Sequence, residues 1–423
     1  MSICTSTLSN GIRIVTDQLA GAESIALGVW VGVGTRHEDL SQNGIAHMLE
    51  HMLFKGTPSR TAKIISEVIE DAGGHMNAYT GRETTAYYIH ILKDHTDLAL
   101  DVLADMIQNS IFPEDELERE RAVILQEIHM YEDTPDDVVF ERAQMTAYPN
   151  QALGASGLGT IEIVNKIQQN DLKDYISKRY RSDKIVLSAA GAVDHDEFVR
   201  KVEALFSSVG SARKATDFIS PAKYNPSASL VEKSTEQAHL VLGFQGLSYS
   251  DPRYSAMRIL SSILGGGTSS RLWQEIREKR GLVYAIHSFR DSYSDDGQFG
   301  VYAGTSPENL TELVPIILDE IINIQKGITK QELVRAKNQI ISGARMTREK
   351  VMSRVDQQGR YMLNHGRPFY LSEMTESVNK VSMKDVTDLA RIVFSTPLLV
   401  SAVGQLDSLM PYDVMRQRLL SSF

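Results

Sequence analysis

The sequence predicts an α+β protein of two homologous domains from an internal duplication, each a mostly antiparallel sheet covered by helices. Three observations carry that expectation. Segments recur in the same order along the chain. Strand-like runs are interleaved with long amphipathic runs. The chain has 423 residues, too many for one ordinary domain and suited to two of about 200 residues each.

The repeat is read directly. "VNKIQQNDLKDY" at Val164 aligns with "VNKVSMKDVTDL" at Val378, and "SAAGAVD" at Ser188 with "SAVGQLD" at Ser401. Upstream, "EDELERERAVILQEI" from Glu114 resembles "KQELVRAKNQIISGA" from Lys330, with Leu117 over Leu333 and Ile124 over Ile340. Earlier still, "GTPSR" at Gly56 lies over "GTSSR" at Gly267. The domains are placed at residues 1–208 and 234–423, joined by the polar Ser/Pro-containing stretch 209–233.

The elements follow in order. The chain opens as strand, turn and strand, with Asn10-Gly11 at the turn. "SIALGVWVGVG" alternates Ile25, Leu27, Val29, Val31 and Val33 with small residues plus Trp30, a period-two strand pattern. Residues 44–54 read as a helix. "HMNAYTG" and "TTAYYIHIL" are strand candidates, and amphipathic runs at 62–72, 94–110, 114–133 and 170–180 are helices. "KIVLSAAG" closes the first copy as a strand. The second copy repeats this order: "QAHLVLGFQG" as strand, 250–264 and 269–280 as helices, "VYAIHSF" and "GQFGVYAG" as strands, and helices from 306 onward.

Composition narrows the function. Hydrophobic residues make up 42% and charged residues 23%, a globular profile. No apolar run approaches the ~18 residues of a membrane span, and the N-terminus does not read as a signal peptide. The formal net charge of −10 disfavours nucleic acid, whose phosphates require a basic face. Cys4 is the only cysteine, so no internal disulfide forms and a reducing compartment fits. A bacterial cytoplasmic protein that binds neither membrane nor nucleic acid is the expectation. Any metal site must use histidine and carboxylate.

Such a site is offered by "GIAHMLEHMLFKGT", residues 44–57. On a helix, His47 and His51 stand four apart and share a face, so both imidazoles reach one ion. Glu50 flanks that face, the placement of a general base that does not ligate the metal. The spacing His-x-x-Glu-His is the inverted zincin pattern. A hydrolytic zinc site takes a third protein ligand. Glu116, Glu120 and Glu127 lie on one stripe of helix 114–133, and periodicity does not choose among them. Through the repeat, His47 falls over Arg258, Glu50 over Ser261, His51 over Ser262, Glu120 over Ala336 and Glu127 over Gly343. The chemical residues are confined to the first copy, whereas a structural role predicts them in both.

Several segments resemble the pitrilysin/insulinase family of zinc metallopeptidases, in the short-chain branch that includes the mitochondrial processing peptidase β subunit and bacterial relatives. These are "LSNGIRIV", "HMLEHMLFKGT", "NAYTGRETTAYY", "ERERAVILQEIHMYEDTP" and "LWQEIREKRGLVYAI", together with the duplication. The resemblance implies one Zn²⁺ per chain on His47, His51 and Glu127, with Glu50 as catalytic base and Glu120 supporting the ligands. It implies a substrate edge strand at Asn77, Ala78, Tyr79 and Thr80. In the second copy it implies that Arg277 and Tyr284 act near the scissile bond, and it offers the Gly265–Ser270 loop as a further substrate contact. The implied activity is endoproteolysis of extended, unfolded and basic peptides inside a chamber. Because one chain carries both the metal motif and the Arg277/Tyr284 pair, a homodimer is implied. The alternative is a catalytically idle structural or peptide-binding subunit of the same fold.

Overall fold

The protein is described by a computed structural model covering residues 3–210 and 219–421. The first half of the chain runs β1 (Ile3–Thr7), β2 (Arg13–Gln18), β3 (Ser24–Val31), α1 (Ile45–Met52), α2 (Ala62–Asp71), β4 (His75–Thr80) and β5 (Thr85–Leu92). It continues with α3 (Thr96–Asn109), α4 (Glu114–Glu132), α5 (Pro135–Ala147), α6 (Ile161–Val164), α7 (Gln169–Arg179), β6 (Ile185–Gly191) and α8 (His195–Phe206). The second half runs β7 (Ala228–Glu232), β8 (Ala238–Gln245), α9 (Tyr254–Gly265), a π-helical turn (Trp273–Glu278), β9 (Val283–Ser292) and β10 (Gly297–Thr305). Then come α10 (Leu310–Lys326), α11 (Lys330–Thr347), α12 (Val351–His365), α13 (Leu371–Lys380), α14 (Met383–Phe394), β11 (Leu399–Gly404) and α15 (Tyr412–Leu420).

Each half carries one sheet among the described residues, ordered β1-β2-β6-β3-β5-β4 in the first and β7-β11-β8-β10-β9 in the second. Within each, one pair is parallel, β2 with β6 and β7 with β11, and the rest are antiparallel. The opening turn is as expected: Gly11 takes a φ of +98° between the paired strands β1 and β2. The stretch 209–233 is not a connector throughout, because its end forms β7. Residues 211–218 of that stretch lie outside the described residues.

The compact units do not follow chain order. One consists of Met1–Ile128, Ala155–Ser220 and Arg345–Phe369; the other of His129–Gly154, Pro221–Ala344 and Tyr370–Phe423. In the first unit, Ile25, Leu27, Val29 and Val31 of β3 face a core filled by α1, α3, α7 and α8. Trp30 points to the opposite face, against Val15, Val186, Val355 and Met362. Val355 and Met362 belong to α12, which lies on β6, β3 and β2. The Trp30 indole N–H donates to Asp356 at 3.1 Å, and Ser188 Oγ donates to the Val355 carbonyl at 2.9 Å. Asp17, fully buried on β2, accepts from Arg348 at 2.5 Å and Arg354 at 2.9 Å. Gly359 is required here, since a Cβ would stand 2.4 Å from the Trp30 ring.

The second unit repeats this device. Its sheet is backed by α5, which lies on β11 and β8. Ser401, the repeat partner of Ser188, donates to the Val139 carbonyl of α5 at 2.9 Å. Each sheet is therefore covered on one face by a helix encoded in the other half of the chain. The helix α5 is absent from the expected elements. Its buried side includes Gln144 beside Val139, Ala143 and Ala147, and that polar interruption weakens the apolar period.

Candidate metal centre

The site is built on α1 of the first unit. Ala46, Met48, Leu49 and Met52 are buried in the core, which fixes the helix, while His47, Glu50 and His51 remain half-buried. The helix starts at Gly44, whose φ of +98° suits glycine. Its first N–H groups are satisfied from a distance. Glu38 accepts from the Ala46 N–H at 2.7 Å, the Gly44 N–H at 2.9 Å and Asn43 Nδ2 at 2.9 Å. A carboxylate there also opposes the helix dipole. Burial nevertheless pushes the Glu38 pKa up to about 7 against those three donors. Sequence reasoning missed Glu38, because it lies beyond the usual N-cap position and only a folded loop brings it back.

The imidazoles of His47 and His51 meet edge to face, with centroids 4.6 Å apart. From α4, Glu127 Oε2 stands 3.8 Å from Nε2 of both rings. One donor atom from each of the three residues lies within 4.8 Å of the others, the one such group among the described residues. These separations are too long for hydrogen bonds. They suit three ligands around one cation, whose donor atoms stand about 3.4 Å apart when each is about 2.1 Å from a tetrahedral zinc. Glu127 Oε2 and His47 Nδ1 are buried without a hydrogen-bond partner, and a buried acceptor left bare is costly. Burial, then the neighbouring His51, lowers His47 to about 4, so it is neutral and has a lone pair to give. Donor type, spacing and the bare acceptor all fit a zinc ion.

Two carboxylates surround this triad in different ways. Glu120 Oε2 lies 2.8 Å from His51 Nδ1 and Glu120 Oε1 lies 2.6 Å from Lys55 Nζ. Burial raises the Glu120 pKa, but these two bonds outweigh it and hold the group below its ordinary value. With Nδ1 on Glu120, the other nitrogen of His51 is turned toward Glu127. Glu50 instead accepts from the Thr80 hydroxyl at 2.5 Å. Burial raises the Glu50 pKa, with Thr80 and His51 opposing and Glu127 adding. Glu116, on the same predicted stripe, is paired with Arg119 and stands outside the group.

The remaining predicted residues take these places. Asn77–Thr80 lie on β4, an edge strand paired only with β5. The Ala78 N–H is held by Asn77 Oδ1 at 2.8 Å, and the Tyr79 hydroxyl donates to Asp356 at 2.6 Å. In the second unit, Tyr284 is 68% exposed on β9. Arg277 lies in the π-helical turn, donates to the Val283 and Tyr284 carbonyls, and sits over the Trp273 ring. It is thus bonded to its own chain. Gly266–Ser269 are exposed at the end of α9. Lys55 and Asp356 were missed, since neither belongs to a recognisable spacing.

Two imidazoles, a carboxylate oxygen without a hydrogen-bond partner and an adjacent carboxyl are a donor set that could hold a metal ion, on a duplicated, helix-covered sheet. Residues 13–161 match the insulinase family (peptidase family M16), and residues 166–340 match the peptidase M16 inactive domain. A Rickettsia felis protein named "Uncharacterized zinc protease" is 39% identical over 95% of this chain and 97% of its own length. The "Probable mitochondrial-processing peptidase subunit beta" of Arabidopsis thaliana is 34% identical over 97% of this chain and 80% of its own. A Pseudomonas fluorescens crystal structure described as a peptidase M16 inactive domain shares the fold, with a TM-score of 0.89 at 20% identity, over 97% of this chain and 100% of that one. The chain belongs to the insulinase family, peptidase family M16. No helix among the described residues is long and apolar enough to cross a membrane.

Proposed function

We propose that this protein is a zinc-dependent endopeptidase acting on extended peptides, with one zinc per chain on His47, His51 and Glu127. The observation that carries this reading is Glu127 Oε2, buried, without a hydrogen-bond partner, and equidistant from two imidazole nitrogens. When bound there, zinc supplies Lewis acidity toward water and the scissile carbonyl. Glu50 is the proton carrier. It takes a proton from the attacking water and returns it to the leaving amine. The Thr80 hydroxyl fixes the rotamer of Glu50, and Glu120 fixes the ring of His51.

The edge strand β4 supports an extended substrate, because it pairs only with β5 and a peptide that adds alongside would displace Asn77 Oδ1 from the Ala78 N–H. The net charge of −10 favours basic peptides. Tyr284 is exposed and offers a phenolic donor for the oxygen that gains charge. Arg277, bonded to the Val283 and Tyr284 carbonyls, holds the strand that presents Tyr284. Since one chain carries both sets of residues, we take the working form to be a homodimer. The grouping of His47, His51 and Glu127 supports this reading over the idle-subunit alternative.

The test is Glu50→Gln. The variant is expected to retain stoichiometric zinc and to lose roughly 10²- to 10⁴-fold in peptide hydrolysis. Undiminished hydrolysis by the zinc-loaded variant would exclude Glu50 as the base.

A further inference from the structure

We propose that the second unit carries an anion site, formed by Arg258 and Arg290, which takes a carboxylate of a bound peptide. Arg258 lies on α9 and Arg290 on β9. The two elements are tied by Ser261 and Ser288, whose Oγ atoms are 3.0 Å apart, with Ser288 Oγ also donating to the Ser261 carbonyl at 2.7 Å. Arg258 stands one helical turn before Ser261, and Arg290 two residues beyond Ser288 on the same strand face. The two guanidinium groups therefore flank one side of the serine link.

Both arginines are half-buried. Among the described residues neither has an ion-pair or hydrogen-bond partner, and Nε of Arg290 is buried with no acceptor. The buried arginines among the described residues differ in this respect. Arg36 holds Glu83, Arg121 holds Glu118 and two carbonyls, and Arg348 and Arg354 hold Asp17. Burial, then the neighbouring Arg290 charge, lowers Arg258 below the ordinary guanidinium value. Two confined like charges without a counter-charge are unfavourable. A carboxylate relieves this, because it takes two parallel N–H bonds from a guanidinium fork.

The surroundings indicate a peptide as the source. The strand β9 is the edge of its sheet, paired only with β10, and an edge accepts extended chain. The duplication adds a second argument. In the first unit the helix-to-edge-strand link is Glu50 to Thr80, and in the second it is Ser261 to Ser288, at the repeat position of Glu50. Arg258 occupies the repeat position of His47. One location in the fold thus holds the ligands of a cation in one copy and two fixed cations in the other.

The experiment measures binding, so it does not depend on the hydrolytic reading. Full-length Glu50→Gln protein is titrated with fluorescent extended peptides that place one Glu at successive positions, and with their Gln counterparts. At least one Glu peptide is expected to bind about 10-fold more tightly than its Gln counterpart. Adding Arg258→Gln or Arg290→Gln should abolish that preference, whereas Arg258→Lys should keep part of it. Each Gln variant should melt no lower than its parent without peptide. Equal affinity for Glu and Gln peptides at every position overturns the proposal. Arginine-dependent binding of inorganic phosphate without any Glu preference also overturns it, by assigning the site to a free anion. A Gln variant that unfolds or melts lower overturns it too, because the arginines would then be structural.

Discussion

Glu120 and Glu127 sit seven residues apart on one helix and do different things. Glu127 has a buried oxygen facing two imidazoles, whereas Glu120 is occupied by His51 and Lys55. Glu120→Gln is therefore expected to leave the fold intact and to weaken zinc binding 10- to 100-fold, read by competition with a chromophoric chelator. Unchanged affinity would remove Glu120 from the support of His51. His37 gives a pH prediction. Its Nδ1 accepts from the Gly34 N–H at 3.1 Å, and burial, with the charges of Lys184 and Arg179, lowers it to about 4. Between pH 6.5 and about 4 the unfolded chain binds a proton that the native chain does not, so stability falls as pH falls through this window. The contribution present above pH 6.5 is about 3 kcal/mol. Urea unfolding across that range should show the acid loss, reduced in His37→Asn. An equal loss in both proteins would exclude His37 as its source.

At the scale of elements, the exchanged helices decide stability. The first sheet buries Trp30, Val15 and Val186 only when α12 supplies Val355 and Met362. Without α12 and the connection that precedes it, Asp17 also loses Arg354 and Arg348, and an isolated buried charge costs several kcal/mol. A chain cut after residue 220 is therefore expected to remain partly folded, with loose packing around Trp30 and strong binding of a hydrophobic dye. Adding a peptide of residues 345–369 should restore a cooperative unfolding transition. A cooperatively folded 1–220 fragment with a buried Trp30 would show that the helix is dispensable. The helix α12 falls inside the helical run expected from residue 306 onward, but its role does not show in sequence. Its buried side mixes Val355 and Met362 with Arg354, Gln358 and Gly359, which reads as a polar helix until Asp17 and Trp30 are seen opposite.

For the whole molecule, the proposed homodimer can be tested by mixing. Glu50→Gln protein and Tyr284→Phe protein are each expected to be poorly active. After subunit exchange, hydrolysis should recover toward a quarter to a half of the wild-type rate if each site draws on two chains, a range of order-of-magnitude precision. Absence of recovery, with exchange proven by labelled subunits, would place all of these groups on one chain. Recovery requires both variants to fold, which a thermal melt checks beforehand.

The sequence by itself determined what depends on local spacing and on repetition. A spacing of four on a helix of 3.6 residues per turn put His47 and His51 on one face, period-two patterning marked β3, and matched segments disclosed two copies of one fold. The tertiary structure alone decided what depends on distance through space. It brought Glu38 to the start of α1, laid each half's helix on the other half's sheet, and set the distances at which Glu127 and Glu120, singled out in the sequence by the family resemblance and not by periodicity, meet the two imidazoles. The physical reason is that helix and strand periods are written in neighbouring residues. A buried polar group is satisfied instead by whichever partner the packed chain brings within about 3 Å, and sequence separation carries no signal of that.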